Sequence, residues 1–509
     1  MSDQRGICMN LGSCTNADNS KPIIVPSCAP FICPECSKPL QSSPEISGRR
    51  NPINLMIAIF ALVAIGFGMF SFFSSAPSAP TKQAIAASAP AKSNVMLRFA
   101  GSNTIGSELL PALAEAYLKK EGATAVKRTP GKDAEEVTVA DSAKPEAAIE
   151  IKSHGSSTAF KALLDRSADI GMSSRKIKGD EVTKLAPLGD VTQASREHVL
   201  ALDGIAVIVN RDNPVSALSK DQIAAIFSGV ITDWAELKRK PGKITLYARD
   251  EKSGTWDTFK SIVLGNLLLD GQAKRFEDSN DLSTRVAQDV NAIGFVGLPF
   301  VKDNKALAVS DAGTSPLIAT RLTVATEDYP LSRRLYLYTP DTNTNPHVRK
   351  FAEFALSRAG QDIVKQYGFI ELNVESSKTA AAAAPQSGMP TEYARLTAGA
   401  QRLSLNFRFM PGSHRLDNKA VRDLDRVLEF LGNAPGQRVM LFGFSDSQGD
   451  ANANLNLSRE RAKAVAEELV KRGVKIDTIT GYGATLPVAS NQSAEGRDKN
   501  RRVEIWVKK

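Results

Sequence analysis

The chain has 509 residues, a formal net charge of +9, and 42% hydrophobic and 6% aromatic residues. At roughly 150 residues per domain this length holds about three folded units, and the composition is ordinary for globular protein with sizeable cores. The basic residues are scattered and aromatics do not interleave with them, which argues against a nucleic-acid partner.

All five cysteines lie within the first 36 residues. Cys33 and Cys36 form a tight Cys-x-x-Cys knuckle, and with Cys8 and Cys14 they offer four thiolates, the number a closed tetrahedral zinc site needs. In a reducing compartment metal is favoured over a disulfide, and so small a head gains its folding energy from the metal. The pattern resembles a zinc ribbon over residues 1–48, with structural zinc as the implied cofactor. Its first pair has a long spacing, and Cys28 is left over as an alternative ligand.

Residues 55–73, LMIAIFALVAIGFGMFSFF, are uncharged and apolar over about the twenty residues a helix needs to cross a bilayer. Arg49 and Arg50 precede this stretch, so the positive-inside bias places the N-terminus in the cytoplasm and the bulk of the chain in the periplasm. The expectation is a single-pass inner-membrane anchor at 53–73. It holds no ionisable residue of the kind a proton-driven stator requires. The Ala/Ser/Pro-rich segment 74–94 then reads as an extended tether, and a second linker occupies 376–390.

Between the linkers a strand, a hydroxyl-rich turn and a helix start recur three times. VMLRFA meets GSNTIG before a helix with Leu109, Leu110, Leu113, Ala116 and Tyr117 on one face; AIEIKSH meets GSST before Phe160, Leu163 and Leu164; KITLYARDEK meets SGT before Trp256, Phe259 and Val263. Helix N-termini leave backbone N–H groups unpaired and turn the positive end of the dipole outward, which suits an oxyanion. Brought together, Ser102, Thr104, Ser156, Ser157, Ser253, Gly254 and Thr255 would surround one small anion with neutral donors, and Arg249 would add a charged fork. For any one turn the simpler reading is an ordinary N-cap.

GSNTIG, HGSSTAFKALLDRSADIGMSSR, ALDGIAVIVNRDNPVSALSKDQIAAIFSGVITDW, RDEKSGT and NAIGFVGLPFV make residues 95–375 similar to the phosphate-binding periplasmic proteins of the type II solute-binding fold. That resemblance implies two α/β lobes joined by two crossings, with the anion held between them. Where better-known members carry a carboxylate that accepts the proton of hydrogen phosphate, this chain has Ser174 followed by Arg175. Arginine strengthens anion binding but accepts no proton. Asp250 and Glu251 stand near as substitutes, and the choice between phosphate and sulfate stays open.

Residues 391–509 contain a strand into GFSD, the helix LSRERAKAVAEELVKRG with Ala462, Val465, Ala466 and Leu469 on one face, then GYG and EGRDKNRRVEI before a final strand. They resemble the OmpA-like peptidoglycan-binding family, an α+β fold. In that family an aspartate and an arginine grip the diaminopimelate of the wall peptide; the matching positions are Asp446 and Arg461, with Asn454 and the Asn500–Arg501–Arg502 run at the rim. An ammonium and a carboxylate at one end of the ligand match that pair. Phe444 stands where most relatives have histidine.

The expected function is a membrane-anchored, wall-attached receptor for a tetrahedral oxyanion, phosphate first, working with an ABC transporter or a signalling partner. The alternative is a tether between membrane and wall with a degenerate middle domain. His154, His198, His347 and His414 sit in no nucleophile elbow or metal motif, so an enzyme is not expected.

Overall fold

The structure, a computed structural model, describes residues 4–8, 23–25, 32–33, 40–42, 95–251, 253–377, 388–410 and 413–509. Two compact units divide the chain, Met1–Ala89 and Pro90–Lys509. In the first, the strand Gln4–Cys8 pairs antiparallel with Ile23–Val25 on one side and Leu40–Ser42 on the other. The apolar stretch 55–73 lies outside the described residues; among the described residues no helix is long and apolar enough to cross a membrane.

In the second unit an eleven-stranded mixed sheet is built from two halves. One end carries Lys274–Phe276, Thr245–Arg249 and Ala292–Gly297; the other carries Ile170–Ser173, Leu97–Gly101, Lys144–Lys152, Glu136–Asp141 and Val126–Pro130. Two antiparallel strands, Glu197–Val209 and Ser332–Tyr338, run through the middle and join the halves, and the eleventh, Lys305–Ala306, pairs with the end of Glu197–Val209. Glu197–Val209 is thirteen residues long and buried throughout, so its near-continuous apolar sequence reflects cover on both faces. It pairs with Ser332–Tyr338 along the first half of its length and with Ala292–Gly297 along the second. Two lobes and two crossings are therefore observed, as the type II resemblance implies.

Each half has its own core. Leu97, Phe99, Leu109, Leu113, Tyr117, Ile149, Ile151 and Phe351 pack together in the first. In the second, Phe259 stacks flat on Phe295 with ring centroids 3.8 Å apart, beside Trp256 and Phe227. Of the residues expected inside the second helix, Phe160 and Leu163 are buried, whereas Leu164 is 41% exposed. The apolar face narrows there because the helix Ser156–Leu164 ends at that residue.

The C-terminal domain is a five-stranded sheet in the order Ser376–Ser377, Gln401–Arg408, Arg502–Lys508, Arg438–Gly443 and Ile476–Gly481. The helices Asn418–Gly432 and Ala451–Lys471 supply Leu424, Val427, Ala462, Val465, Ala466 and Leu469 to its core. The second helix begins six residues before the apolar pattern, where Asp450 caps it by accepting from Asn452 N and Ala453 N.

The C-terminal domain packs on the two-lobed domain, and His198 lies at that contact. Its Nε2 is 3.0 Å from Thr339 Oγ1 and its Nδ1 accepts from Arg422 Nη2 at 2.9 Å. Burial, with the charges of Arg422 and Arg196, pulls its pKa down to about 3. Because the folded value lies below the ordinary 6.5, the neutral ring's contribution to stability is complete above pH 6.5 and is lost as pH falls toward 3. The melting temperature of the chain is expected to drop between pH 6.5 and 4, and the drop should be shallower in His198→Gln. Identical pH slopes would contradict this.

Candidate functional site

The three expected turns do meet. Gly101, at the end of its strand, has φ of +135°, and a Cβ there would stand 2.0 Å from Met172 O, so the chain turns into Ser102 only because no side chain is present. Ser102, Ser156 and Ser174 are fully buried, and Thr104, Ser253 and Thr255 nearly so. Ser156 Oγ accepts from Ser174 N at 3.0 Å and lies 3.1 Å from Ser174 Oγ. Gly254 comes from the other lobe; a Cβ on it would stand 1.9 Å from Ser174 Oγ. Thr258 Oγ1 faces Ser174 O at 3.4 Å, and Thr104 Oγ1 lies 3.5 Å from Thr255 Oγ1. These distances across the cleft describe closed lobes.

Arg333 completes the floor. Its Nε and Nη2 donate to Asp203 Oδ2 at 2.9 and 2.6 Å, and Nη2 also reaches Thr255 Oγ1 at 3.0 Å and Thr104 Oγ1 at 3.3 Å. Two buried polar atoms in this floor, Ser102 Oγ and Arg333 Nη1, have no hydrogen-bond partner in the protein. Arg249 donates from Nε to Phe276 O (3.2 Å), from Nη2 to Glu277 O (2.5 Å) and from Nη1 to Ser279 Oγ. Burial, aided by the charge of Arg333 and opposed by Asp250, pulls its pKa down to about 10. A buried guanidinium whose charge is disfavoured by burial and by a second arginine, beside unpartnered donors, suits a nearby anion. The cleft, about 430 Å³, is lined by Thr104, Arg249, Thr255 and Ser279 among others, and by the acidic Glu108, Glu135 and Glu136.

Other expected residues go elsewhere. Arg175 is committed to Glu181, with Nη1 and Nη2 at 2.8 and 2.6 Å from its carboxylate, and stacks 5.3 Å over the Phe160 ring. Ser157 is exposed. Ser253 Oγ serves as the cap of its helix, accepting from Thr255 N. Asp250 Oδ1 accepts from Ser253 N, and Glu251 points outward to Arg275. His154 sits outside the floor, 3.3 Å from Glu136 Oε1.

In the C-terminal domain Asp446 Oδ2 accepts from Arg501 Nη1 at 2.7 Å, and Arg501 also pairs with Asp498. Beneath them Arg461 is almost wholly buried, 5.4 Å from the Phe409 ring, with Nε and Nη1 unpartnered. Burial and the charge of Arg501 pull its pKa down to about 10. Asn454 Nδ2 donates to Gln448 O, pinning the loop that carries Asp446. Asn500 and Arg502 are internal: Asn500 holds Val488 N and Ala489 N, and Arg502 stacks 3.9 Å over Phe444 while donating to Glu504. Phe444 is thus core. Of the four expected zinc thiolates, the Cys33 side chain is buried, while Cys14, Cys36 and the side chain of Cys8 lie outside the described residues.

A family model described as the PBP superfamily domain matches residues 84–359, more than half of the chain. The chain belongs to the PBP superfamily. A model of the OmpA family matches residues 408–501, at the C-terminal domain. The phosphate-binding protein PstS of Staphylococcus saprophyticus is 31% identical over 227 residues, 43% of this chain and 69% of the relative. PstS of Pseudomonas aeruginosa is 29% identical over 266 residues, 46% of this chain and 78% of the relative. Among solved structures, an ABC-type phosphate transport receptor from Vibrio cholerae is 25% identical and covers 54% of this chain and 99% of that one, with a TM-score of 0.43.

Two residues of the PBP-domain floor escape a reading of turns, because they lie inside strands. Arg333 and Asp203 are direct partners in the antiparallel ladder between the crossings. The signal is there in retrospect: Asp203 interrupts the apolar run LALDGIAVIV, and Arg333 precedes Leu335 and Leu337 at strand spacing. Their side chains are 3% and 0% exposed. Removing one partner of such a pair costs about 3–5 kcal/mol, because the other charge is left buried alone. Arg333→Met is expected to destabilise the PBP domain by about that amount, and Arg333→Met with Asp203→Asn should recover most of it. Denaturant titration followed by tryptophan fluorescence measures the cycle; additive losses would refute the coupling.

Proposed function

We propose that the PBP domain binds a tetrahedral oxyanion, with inorganic phosphate first in preference, and that the OmpA domain attaches the chain to peptidoglycan. The observation that carries the reading is the pair of buried, unpartnered donors, Ser102 Oγ and Arg333 Nη1, at the closed junction of the lobes. The same guanidinium holds the Thr104 and Thr255 hydroxyls through Nη2. A bound oxyanion would take those two donors together with the amides of the first helical turns. Bonds to a charged acceptor contribute roughly 1.5–3 kcal/mol each, so a few of them offset the anion's lost hydration. The names of the relatives support phosphate. Selectivity over sulfate would depend on a proton acceptor, and Asp203 is a buried carboxylate bonded to Arg333 of this floor.

At the other end, Asp446 would meet the ammonium of diaminopimelate and Arg461 its carboxylate, with Arg501 exchanging partners as the ligand enters. We further propose that residues 53–73 anchor the chain in the inner membrane with the N-terminus in the cytoplasm, where four cysteines hold a structural zinc. Metal analysis of the purified chain should return about one zinc per molecule, lost on Cys33→Ser with Cys36→Ser; a zinc-free wild type would end that proposal.

Both ligand readings predict the same unusual signature. A buried polar atom without a partner weakens the free protein, so Ser102→Ala and Arg461→Met should leave the ligand-free chain as stable or more so. Ser102→Ala should nevertheless weaken phosphate binding by about tenfold in calorimetric titration, and Arg461→Met should abolish retention on diaminopimelate-type peptidoglycan. A wild type that ignores phosphate yet is retained on peptidoglycan would favour the tether instead.

A further inference from the structure

Successive residues of a strand leave on opposite faces. In Ser332–Tyr338 that geometry sends two neighbouring arginines to different domains. Arg333 goes to the floor of the cleft. Arg334 pairs with Glu327 at 3.0 Å and with Asp417 at 2.7 Å, and Asp417 belongs to the C-terminal domain, where it caps the helix Asn418–Gly432.

The same domain grips the chain just before each of the two strands that join the lobes. On the return passage, Asn406 Nδ2 and Arg408 Nη2 donate to Thr326 O at 2.8 and 3.0 Å. Arg402 reaches Asp328 at 2.8 Å, and Lys499 Nζ donates to Tyr329 O, Pro330 O and Ser332 Oγ at 3.0, 2.8 and 3.0 Å. At the start of the outward strand, on the first-lobe side, Asn418 Nδ2 donates to Thr192 O and Glu197 Oε1, and Arg422 Nη2 to Ala194 O. Thr326, Asp328, Asn406 and Arg408 are all buried, so these bonds exclude water. Opening the lobes changes backbone angles at the crossings. Here the segments that lead into those crossings, one from each lobe, are both held by another domain.

The holding turn also belongs to the Asp446 pocket. Lys499 sits between Asp498 and Arg501, the two residues that pair with one another beside Asp446. Arg408 Nη1 in turn donates to Lys499 O, tying that turn to the strand Gln401–Arg408. A short run of contacts therefore leads from Asp446 through residues 498–501 to Ser332 and Arg333.

We propose that the C-terminal domain is a splint across the hinge, docked on closed lobes, so that anion retention in the cleft is linked to occupancy of the Asp446 pocket. The two ligands are those of the proposed function, on which this inference rests. Linkage makes the effect reciprocal: whatever one ligand does to the affinity of the other, the other returns by the same factor, typically about 5–150-fold.

The test uses the full chain in detergent micelles with inorganic phosphate and a diaminopimelate-containing muropeptide as probes. Asp417→Asn keeps the helix cap but removes the charge opposite Arg334, and Lys499→Met removes the donor to three acceptors; neither residue lines the cleft. Both variants should release phosphate about tenfold faster and show faster amide exchange over residues 326–332 without phosphate, while exchange in the strand Arg502–Lys508 stays unchanged. Saturating muropeptide should alter the wild-type release rate at least about fivefold and leave Lys499→Met nearly unaffected. Unchanged exchange over 326–332 in both variants overturns the splint. Raised exchange with unchanged release, or a wild type indifferent to muropeptide, overturns the linkage. A wild type that binds no phosphate takes down the anion reading instead, and the splint is then decided by the exchange measurement alone.

Discussion

Arg333 and Asp203 face each other across the two strands that join the lobes, and both charges are out of water. A pair this deeply buried is tolerated only where its geometry is good and its remaining donors are used. Nε and one terminal nitrogen lie on the carboxylate, which also accepts from Leu298 N. The other terminal nitrogen is buried without a hydrogen-bond partner in the protein. One cross-strand pair thus fixes the register of the crossings and aims a cation at the point where three helix starts converge. The hydroxyls of Thr104 and Thr255, one from each lobe, meet on that same guanidinium.

The C-terminal domain adds a constraint that a free-standing two-lobed receptor lacks. Its contact with the crossings is polar and charged rather than apolar, built from Arg402, Asn406, Arg408, Asp417 and Lys499. Such a surface gains specificity of docking more than stability, because each charge gives up hydration to make it. Two arginines side by side in one strand therefore stand for two different tasks, one inside a lobe junction and one at a domain boundary.

Much of the fold is legible in the residues. The three strand–turn–helix units and the GFSD-to-helix unit appear where the patterns place them, because each pattern is local: a glycine or serine ends a strand and an apolar stripe marks one helix face. The second linker, read as 376–390, starts differently, since Ser376–Ser377 pair as an edge strand with Gln401–Arg408, and residues 378–387 lie outside the described residues. Boundaries shift where capping, not hydrophobicity, decides them. The helix Ala451–Lys471 starts at Asp450 through a polar run that shows no apolar period. The candidate site is legible in part. Hydroxyls at helix starts announce themselves by their turns, but Arg175 has Glu181 within reach six residues on and turns to it, and Ser157 faces out on the first helical turn. Arg461 and Asp446 stand close by motif, yet Asp446 is taken by Arg501, which the next strand brings alongside.

By itself the sequence determined the chemistry available and the local conformations: where helices begin, which faces are apolar, which turns need glycine, and which families the chain resembles. Those depend on interactions within a few residues. Tertiary structure alone decided which of two adjacent arginines reaches the cleft, which hydroxyls remain without partners, and that the C-terminal domain packs beside the strands that join the lobes. Each of those outcomes is set by groups more than a hundred residues apart, Arg333 with Asp203 and Lys499 with Ser332 among them, and their pairing is chosen by burial and strand register, which no short stretch of chain encodes.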